Sequence, residues 1–181
     1  SYVGELGWEL HCKMDVLKSL HDVVISAGEE NDIRHFGTYA LNSLRMEKGY
    51  KAWGSELTTE ISLIEADMGR FIRKEGGYIG AKVVQQKKKD GVSLHLVYCQ
   101  VDTDDADPMG NEPIYDGDDI IGITTSGAYG HCVKKSLMFA YVSSGFESPG
   151  TSFEVGILGK RKKTIVLAKP AWDPGNTRLK A

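Results

Sequence analysis

The stretch Ile120–Val142, IIGITTSGAYGHCVKKSLMFAYV, decides the fold. It opens on the short apolar run Ile120–Thr125 and closes on another, Ser136–Val142. Ser126-Gly127, just after the first run, has turn chemistry, and Thr125, Ser126 and Gly127 together read as a tight loop between two strands. The same grammar extends outward on both sides. Val92–Val101 precedes the stretch, and Ser152–Leu158 and Lys163–Ala168 follow it. Asp116-Gly117, Pro149-Gly150 and Gly159-Lys160 punctuate these runs. Five or six short strands at this spacing predict a small antiparallel β-barrel.

Upstream the period changes. Val16, Leu17, Leu20, Val23, Val24 and Ala27 recur at helical spacing, with Gly28 as a natural stop. A second helix is predicted over Tyr39–Lys48, with Ala40, Leu41 and Leu44 as its apolar stripe and Gly49 at its end. A third is predicted over Ala81–Lys89, ending before Gly91. Trp8-Glu9-Leu10-His11-Cys12 alternates as a strand would. Ser62 with Glu65 has the form of a capping box. The fold class is therefore α+β, divided into an α+β part over residues 1–90 and a β-barrel over 91–181.

The chain has 181 residues, 41% hydrophobic and 26% charged, with net charge −3. These values suit a soluble globular protein. No apolar run approaches the roughly 20 residues of a membrane span, so no membrane partner is expected. The net charge speaks against a nucleic-acid partner. The basic runs Lys87-Lys88-Lys89 and Lys160-Arg161-Lys162-Lys163 are local, and Asp102, Asp104, Asp105, Asp107, Asp116, Asp118 and Asp119 offset them. Cys12, Cys99 and Cys132 form no C-x-x-C pair, which fits free thiols in a reducing compartment. His11-Cys12 and His131-Cys132 are sequence neighbours, a poor arrangement for one metal, so no metal site is expected. No signal-peptide pattern opens the chain, and Ser1 enters structured-looking sequence directly, as in a truncated protein.

Four segments in order carry a family resemblance. They are Ser1–Leu10 (SYVGELGWEL), Tyr39–Tyr50 followed by Ala52-Trp53-Gly54, Leu63–Ala66 (LIEA), and Gly122–Tyr129 followed by Lys135–Val142. The sequence resembles the glycine-cleavage T-protein (aminomethyltransferase) family. Leu6 and Trp8, with Asp107–Ile114 (DPMGNEPI), resemble its dimethylglycine and sarcosine dehydrogenase branch. The resemblance implies the C-terminal part of a folate-binding α+β domain followed by the barrel. It also implies a module beginning upstream of Ser1, with an N-terminal folate segment and a flavin domain further upstream. No G-x-G-x-x-G fingerprint occurs here, so FAD is expected only in that upstream part. The family's catalytic aspartate also lies there, and no catalytic residue is expected in this chain.

The activity implied is capture of a one-carbon unit from an iminium by tetrahydrofolate, giving 5,10-methylenetetrahydrofolate. The implied setting is bacterial cytoplasm or mitochondrial matrix. The alternatives are an aminomethyltransferase working with a lipoyl carrier, or a non-catalytic regulatory module of the same branch. Glu9 matches the family's pteridine-binding glutamate. A carboxylate suits that task because it accepts two hydrogen bonds from adjacent N–H groups. Without the resemblance Glu9 reads as a solvated strand carboxylate. Tyr2 and Tyr50 match pocket tyrosines, against a reading as half-buried aromatics. Leu41 stands where T-proteins carry a folate-contacting arginine, so that contact is not carried over. Arg45 and Glu47 match the family's helix and also suit structural ion pairs. Glu5 reads as a turn residue, Trp53 as core packing, Arg178 as a solvated cation in preference to a contact for the anionic tail of folate, and Thr125, Ser126 and Gly127 equally as turn chemistry or as ligand contacts.

Overall fold

The computed structural model describes residues 1–180. Among these residues, three α-helices precede the sheet: α1 (Leu17–Gly28), α2 (Thr38–Glu47) and α3 (Ala81–Asp90). Six strands follow: β1 (Leu94–Val101), β2 (Pro113–Asp116), β3 (Asp119–Gly130), β4 (Lys135–Ser143), β5 (Ser152–Ile157) and β6 (Lys160–Val166). They close into an antiparallel barrel in the order β1-β4-β3-β2-β5-β6. The expected α+β class and barrel are both present.

Why β4 is a continuous apolar run follows from its place. Met138, Ala140 and Val142 point into the barrel core with Val97, Cys99, Ile114, Phe153 and Val155. Leu137, Phe139 and Tyr141 point the other way, into a second cluster with Met46 and Leu96. A strand buried on both faces has no polar side to alternate with.

Thr125, Ser126 and Gly127 correct the expected tight loop. They lie inside β3, which runs on to Gly130, and the register with β4 shifts between Thr124 and Ser126. The polar triplet marks a bulge, not a chain reversal. Gly127 is required by close approach: a Cβ there would collide with the backbone carbonyl of Pro108. Glu112 shapes the same loop by accepting hydrogen bonds from the amides of Met109 and Gly110, both at 2.8 Å.

The apolar stripe expected on α2 is also corrected. Ala40 is exposed, and the buried face is Ser43, Arg45, Met46 and Glu47. Among the described residues, no strand covers the outer edge of β3 beyond Ile123. Its carbonyls still need donors. Asn42 Nδ2 donates to Gly127 O (3.2 Å) and Ser43 Oγ to Tyr129 O (2.6 Å). Glu47 Oε1 accepts from the amides of Cys132 (2.6 Å) and Val133 (3.1 Å) in the β3–β4 turn. A helix that completes a sheet edge must be polar on that face.

Three further expectations change. Trp8–Cys12 forms no strand, and Trp8 is 84% exposed. Trp53 is not core: it is 74% exposed. Gly28 does not terminate its segment; a 3-10 turn, Glu29–Asn31, follows, and Asp32 takes the left-handed stop. The capping box forms on one side, with Ser62 N donating to Glu65 Oε2 at 2.8 Å while Ser62 Oγ finds no partner, and a short helical turn begins there, Ala66 N donating to Ser62 O at 3.0 Å. The helix predicted before Gly91 is α3.

Candidate functional site

The chain opens in a turn, with Gly4 N donating to Ser1 O at 3.1 Å. Gly4 takes φ +80°, where a side chain is strained, and a Cβ there would lie 2.9 Å from the Lys48 stem. The turn is thus seated on the residue that follows α2. This brings Tyr2 against Tyr50. Their rings stack with centroids 6.0 Å apart and planes 21° from parallel. The Tyr2 hydroxyl donates to Lys51 O at 3.0 Å.

Beneath the two rings lies a buried polar floor. Arg45 donates from Nη1 to Glu56 Oε2 (3.1 Å) and Tyr50 O (3.0 Å), from Nη2 to Ser126 Oγ (2.9 Å), and from Nε to Asn42 Oδ1 (2.9 Å). Glu56 also accepts from Ala52 N (2.8 Å), Thr125 Oγ1 (2.6 Å) and Ser126 Oγ (2.5 Å). Tyr141 donates its hydroxyl to Glu56 O at 2.7 Å. Every donor and acceptor here has a partner, so the floor is structural, and the β3 bulge aims Thr125 and Ser126 into it. Burial raises the Tyr2 phenol above its ordinary range; Arg45 partly offsets this and Glu56 adds to it. Tyr2 therefore stays neutral, a hydrogen-bond donor with an apolar face.

Glu9 is not joined to this pair. Its side chain is 90% exposed, and its polar contact is His11 Nε2 at 3.6 Å. Two of the three expected site residues are brought together, and the third is exposed on a segment without regular secondary structure. Arg45 forms a structural ion pair, with Glu56, as one of its two readings had it, whereas Glu47 makes no ion pair among the described residues and instead accepts from the Cys132 and Val133 amides. Glu5 is more than a turn residue: it accepts from Trp172 Nε1 at 2.9 Å. Arg178 lies over the Trp172 ring and 3.8 Å from Glu5. Glu56 was not singled out from sequence, since its partners Arg45, Thr125 and Ser126 are far away along the chain. A cavity of about 570 Å³ lies along the outer barrel wall, lined by Leu96, Tyr98, Phe139 and Pro170 among others, and shares Lys51 with the tyrosine site. It carries no chemistry that converges on one point. Among the described residues, no group of three or more His, Cys, Asp and Glu side chains is placed to hold a metal ion.

What the arrangement offers is a flat, half-exposed aromatic face held on a rigid base. A planar heterocycle fits such a face by stacking.

Comparison with known proteins agrees in order and extent. Residues 1–76 match the family model of the GCVT N-terminal domain, and residues 95–173 match that of the glycine cleavage T-protein C-terminal barrel domain. The chain is 41% identical to mitochondrial dimethylglycine dehydrogenase of Mus musculus and 39% identical to that of Homo sapiens. Each alignment covers 99% of this chain and 21% of the relative, so the chain spans about a fifth of their length. An aminomethyltransferase of Bacillus cytotoxicus is 31% identical over 93% of this chain and 46% of its own. The crystal structure of aminomethyltransferase T from Bartonella henselae superposes with a TM-score of 0.79 at 21% identity, over 87% of this chain and 45% of that one, and shows the same fold.

Proposed function

Since the chain belongs to the glycine-cleavage T-protein family, we propose that it is the tetrahydrofolate-binding C-terminal part of a dimethylglycine or sarcosine dehydrogenase-like enzyme. The boundary between its folate-domain part and its barrel falls at residues 90 and 91 in this reading. The stacking of Tyr2 on Tyr50 is the observation that carries it. The two residues lie 48 positions apart and are both matched to pocket tyrosines by family motif. Their shared face is half-exposed and rigidly backed, which suits the planar pterin.

Tetrahydrofolate, when bound, would supply the amine nucleophile that takes the one-carbon unit from an iminium, giving 5,10-methylenetetrahydrofolate and releasing the demethylated amine. FAD, which would generate that iminium, belongs to the upstream part of the parent enzyme. This chain's residues bind and orient. Tyr2 and Tyr50 hold the ring plane. Glu9 has both carboxylate oxygens available, with only a 3.6 Å approach from His11, and accepts two N–H groups from the ring edge. Arg45, Glu56 and Ser126 keep Tyr50 and β3 in register beneath. Fixing the nucleophile in this way replaces a bimolecular encounter by a positioned one. The mitochondrial matrix or a bacterial cytoplasm is the setting that goes with this reading.

Over an aminomethyltransferase reading, the dehydrogenase branch is favoured by Leu41, which replaces the folate-contacting arginine of T-proteins. The test is to turn over dimethylglycine and sarcosine with the intact enzyme, with and without tetrahydrofolate. The expected result is methylenetetrahydrofolate at the expense of formaldehyde. Formaldehyde release indifferent to tetrahydrofolate would overturn the proposal.

A further inference from the structure

We infer that Lys48 is a positioning residue for the Tyr2–Tyr50 face, acting with Asp173 as a latch between the C-terminal segment and the turn that carries Tyr2. This rests on the reading of that face as the ligand site.

Lys48 is 1% exposed. A lysine is rarely buried to that degree without a partner. Its stem runs directly under Gly4, leaving no room for a side chain there. Its ammonium donates to Asp173 O at 2.5 Å and to Asp173 Oδ2 at 3.0 Å. Asp173 is itself fixed. Its carboxylate accepts from Thr177 Oγ1 (2.7 Å), Thr177 N (2.9 Å) and Arg178 N (3.2 Å).

The neighbouring Trp172 makes a second bridge. Its amide donates to Glu47 O at 2.9 Å, at the end of α2, and its indole donates to Glu5 at 2.9 Å. The Ser1–Glu5 turn is thus held at two points: Gly4 on the stem of Lys48, whose head group is tied to Asp173, and Glu5 on the neighbouring Trp172. Tyr50 follows Lys48 by two residues and is tied back to α2 through Tyr50 N to Arg45 O at 2.9 Å. Lys48 is therefore the residue through which both tyrosines are referred to one frame. The ring separation depends on its head group staying home.

The group facing this ammonium is Asp173, through its backbone carbonyl and its carboxylate. Lys48→Met keeps the stem under Gly4 and removes the charge. Asp173 keeps its Thr177 and Arg178 donors, so the barrel has no reason to unfold. If the turn then occupies its ordered position in one molecule of ten, apparent ligand affinity falls about tenfold.

The experiment combines hydrogen–deuterium exchange with tetrahydrofolate titration, on the intact protein and its Lys48→Met, Asp173→Asn and Lys48→Arg variants. Both Lys48→Met and Asp173→Asn should speed exchange in residues 1–7 while β1–β6 stay unchanged. Both should weaken tetrahydrofolate about tenfold, and Lys48→Arg should restore much of it. Faster exchange throughout the barrel, unchanged exchange in residues 1–7, or a loosened turn with unchanged affinity would each overturn the positioning role. Lack of tetrahydrofolate binding by the wild type would instead overturn the functional reading on which it rests.

Discussion

Arg45 and Glu56 form an ion pair at 3.1 Å whose side chains are 3% and 0% exposed. The pair joins α2 to the 52–57 turn, and through Ser126 both partners reach β3. All its donors and acceptors are matched, which is the condition under which a buried pair is tolerated.

Removing one partner strands the other. Glu56→Ala leaves a buried guanidinium without its carboxylate and Thr125, Ser126 and Ala52 N without an acceptor. The expected loss is about 3–5 kcal/mol of stability, the usual result of breaking a buried pair from one side. Urea unfolding of wild type and variant measures it, and a loss under about 1 kcal/mol would show that the pair is solvated in solution.

Gly127→Ala should destabilise the barrel by about 1–3 kcal/mol, as overpacking does. The added methyl meets the Pro108 carbonyl, and neither backbone can yield without moving the bulge that feeds Ser126 into the floor. Gly69→Ala, which meets open space, should stay within about 0.5 kcal/mol. Equal effects at both positions in thermal unfolding would refute the close approach.

The barrel was legible because β1, β4 and β5 announce themselves as apolar runs between turn residues. The errors have physical causes. Thr125-Ser126-Gly127 has turn composition, but the polar atoms serve a bulge and the glycine serves a close approach. Ala40, Leu41 and Leu44 have the right period for a core face, yet α2 meets an uncovered strand edge, where carbonyls select Asn42 and Ser43. Trp8–Cys12 alternates as a strand should, but alternation cannot supply a pairing partner. Tyr2 and Tyr50 were singled out through family motifs, and the fold stacks their rings. Glu56 was invisible because its network joins residues that only the fold brings together.

Thiol reactivity should divide the cysteines. Cys12 and Cys132 are exposed and Cys99 is buried in the barrel core. Burial pushes the Cys99 thiol far up, so it carries almost no thiolate. A colorimetric thiol reagent near pH 8 should titrate two thiols in the native protein and three after unfolding. Prompt reaction of three would mean that the barrel opens.

Acid should weaken the surface clasp of β6. Lys162, then Lys160 and Thr103, hold the Asp105 carboxyl well below the usual carboxylate range. A folded pKa below the unfolded one gives stability that is present above about pH 3.9 and lost as pH falls through the folded value. The same contact raises Lys160, whose share persists at neutral pH and is lost only as pH climbs through the lysine range. Asp105→Asn should therefore flatten the stability profile below about pH 4, as followed by thermal melts across pH. An unchanged acid slope would assign the effect to other carboxylates.

The central claim is tested most directly at Glu9. In the intact enzyme, tetrahydrofolate affinity is measured by calorimetry for wild type and Glu9→Gln, with flavin-dependent substrate oxidation followed in parallel. An amide offers one acceptor where the carboxylate offers two, and it places a donor against the pterin's N–H. Losing a charge-assisted hydrogen bond costs about 1.5–3 kcal/mol, or roughly ten- to a hundredfold in affinity. The account predicts that loss with oxidation intact and more formaldehyde released per turnover. Unchanged affinity in a folded variant would contradict it, and would leave Glu9 as a solvent carboxylate whose neighbour is His11.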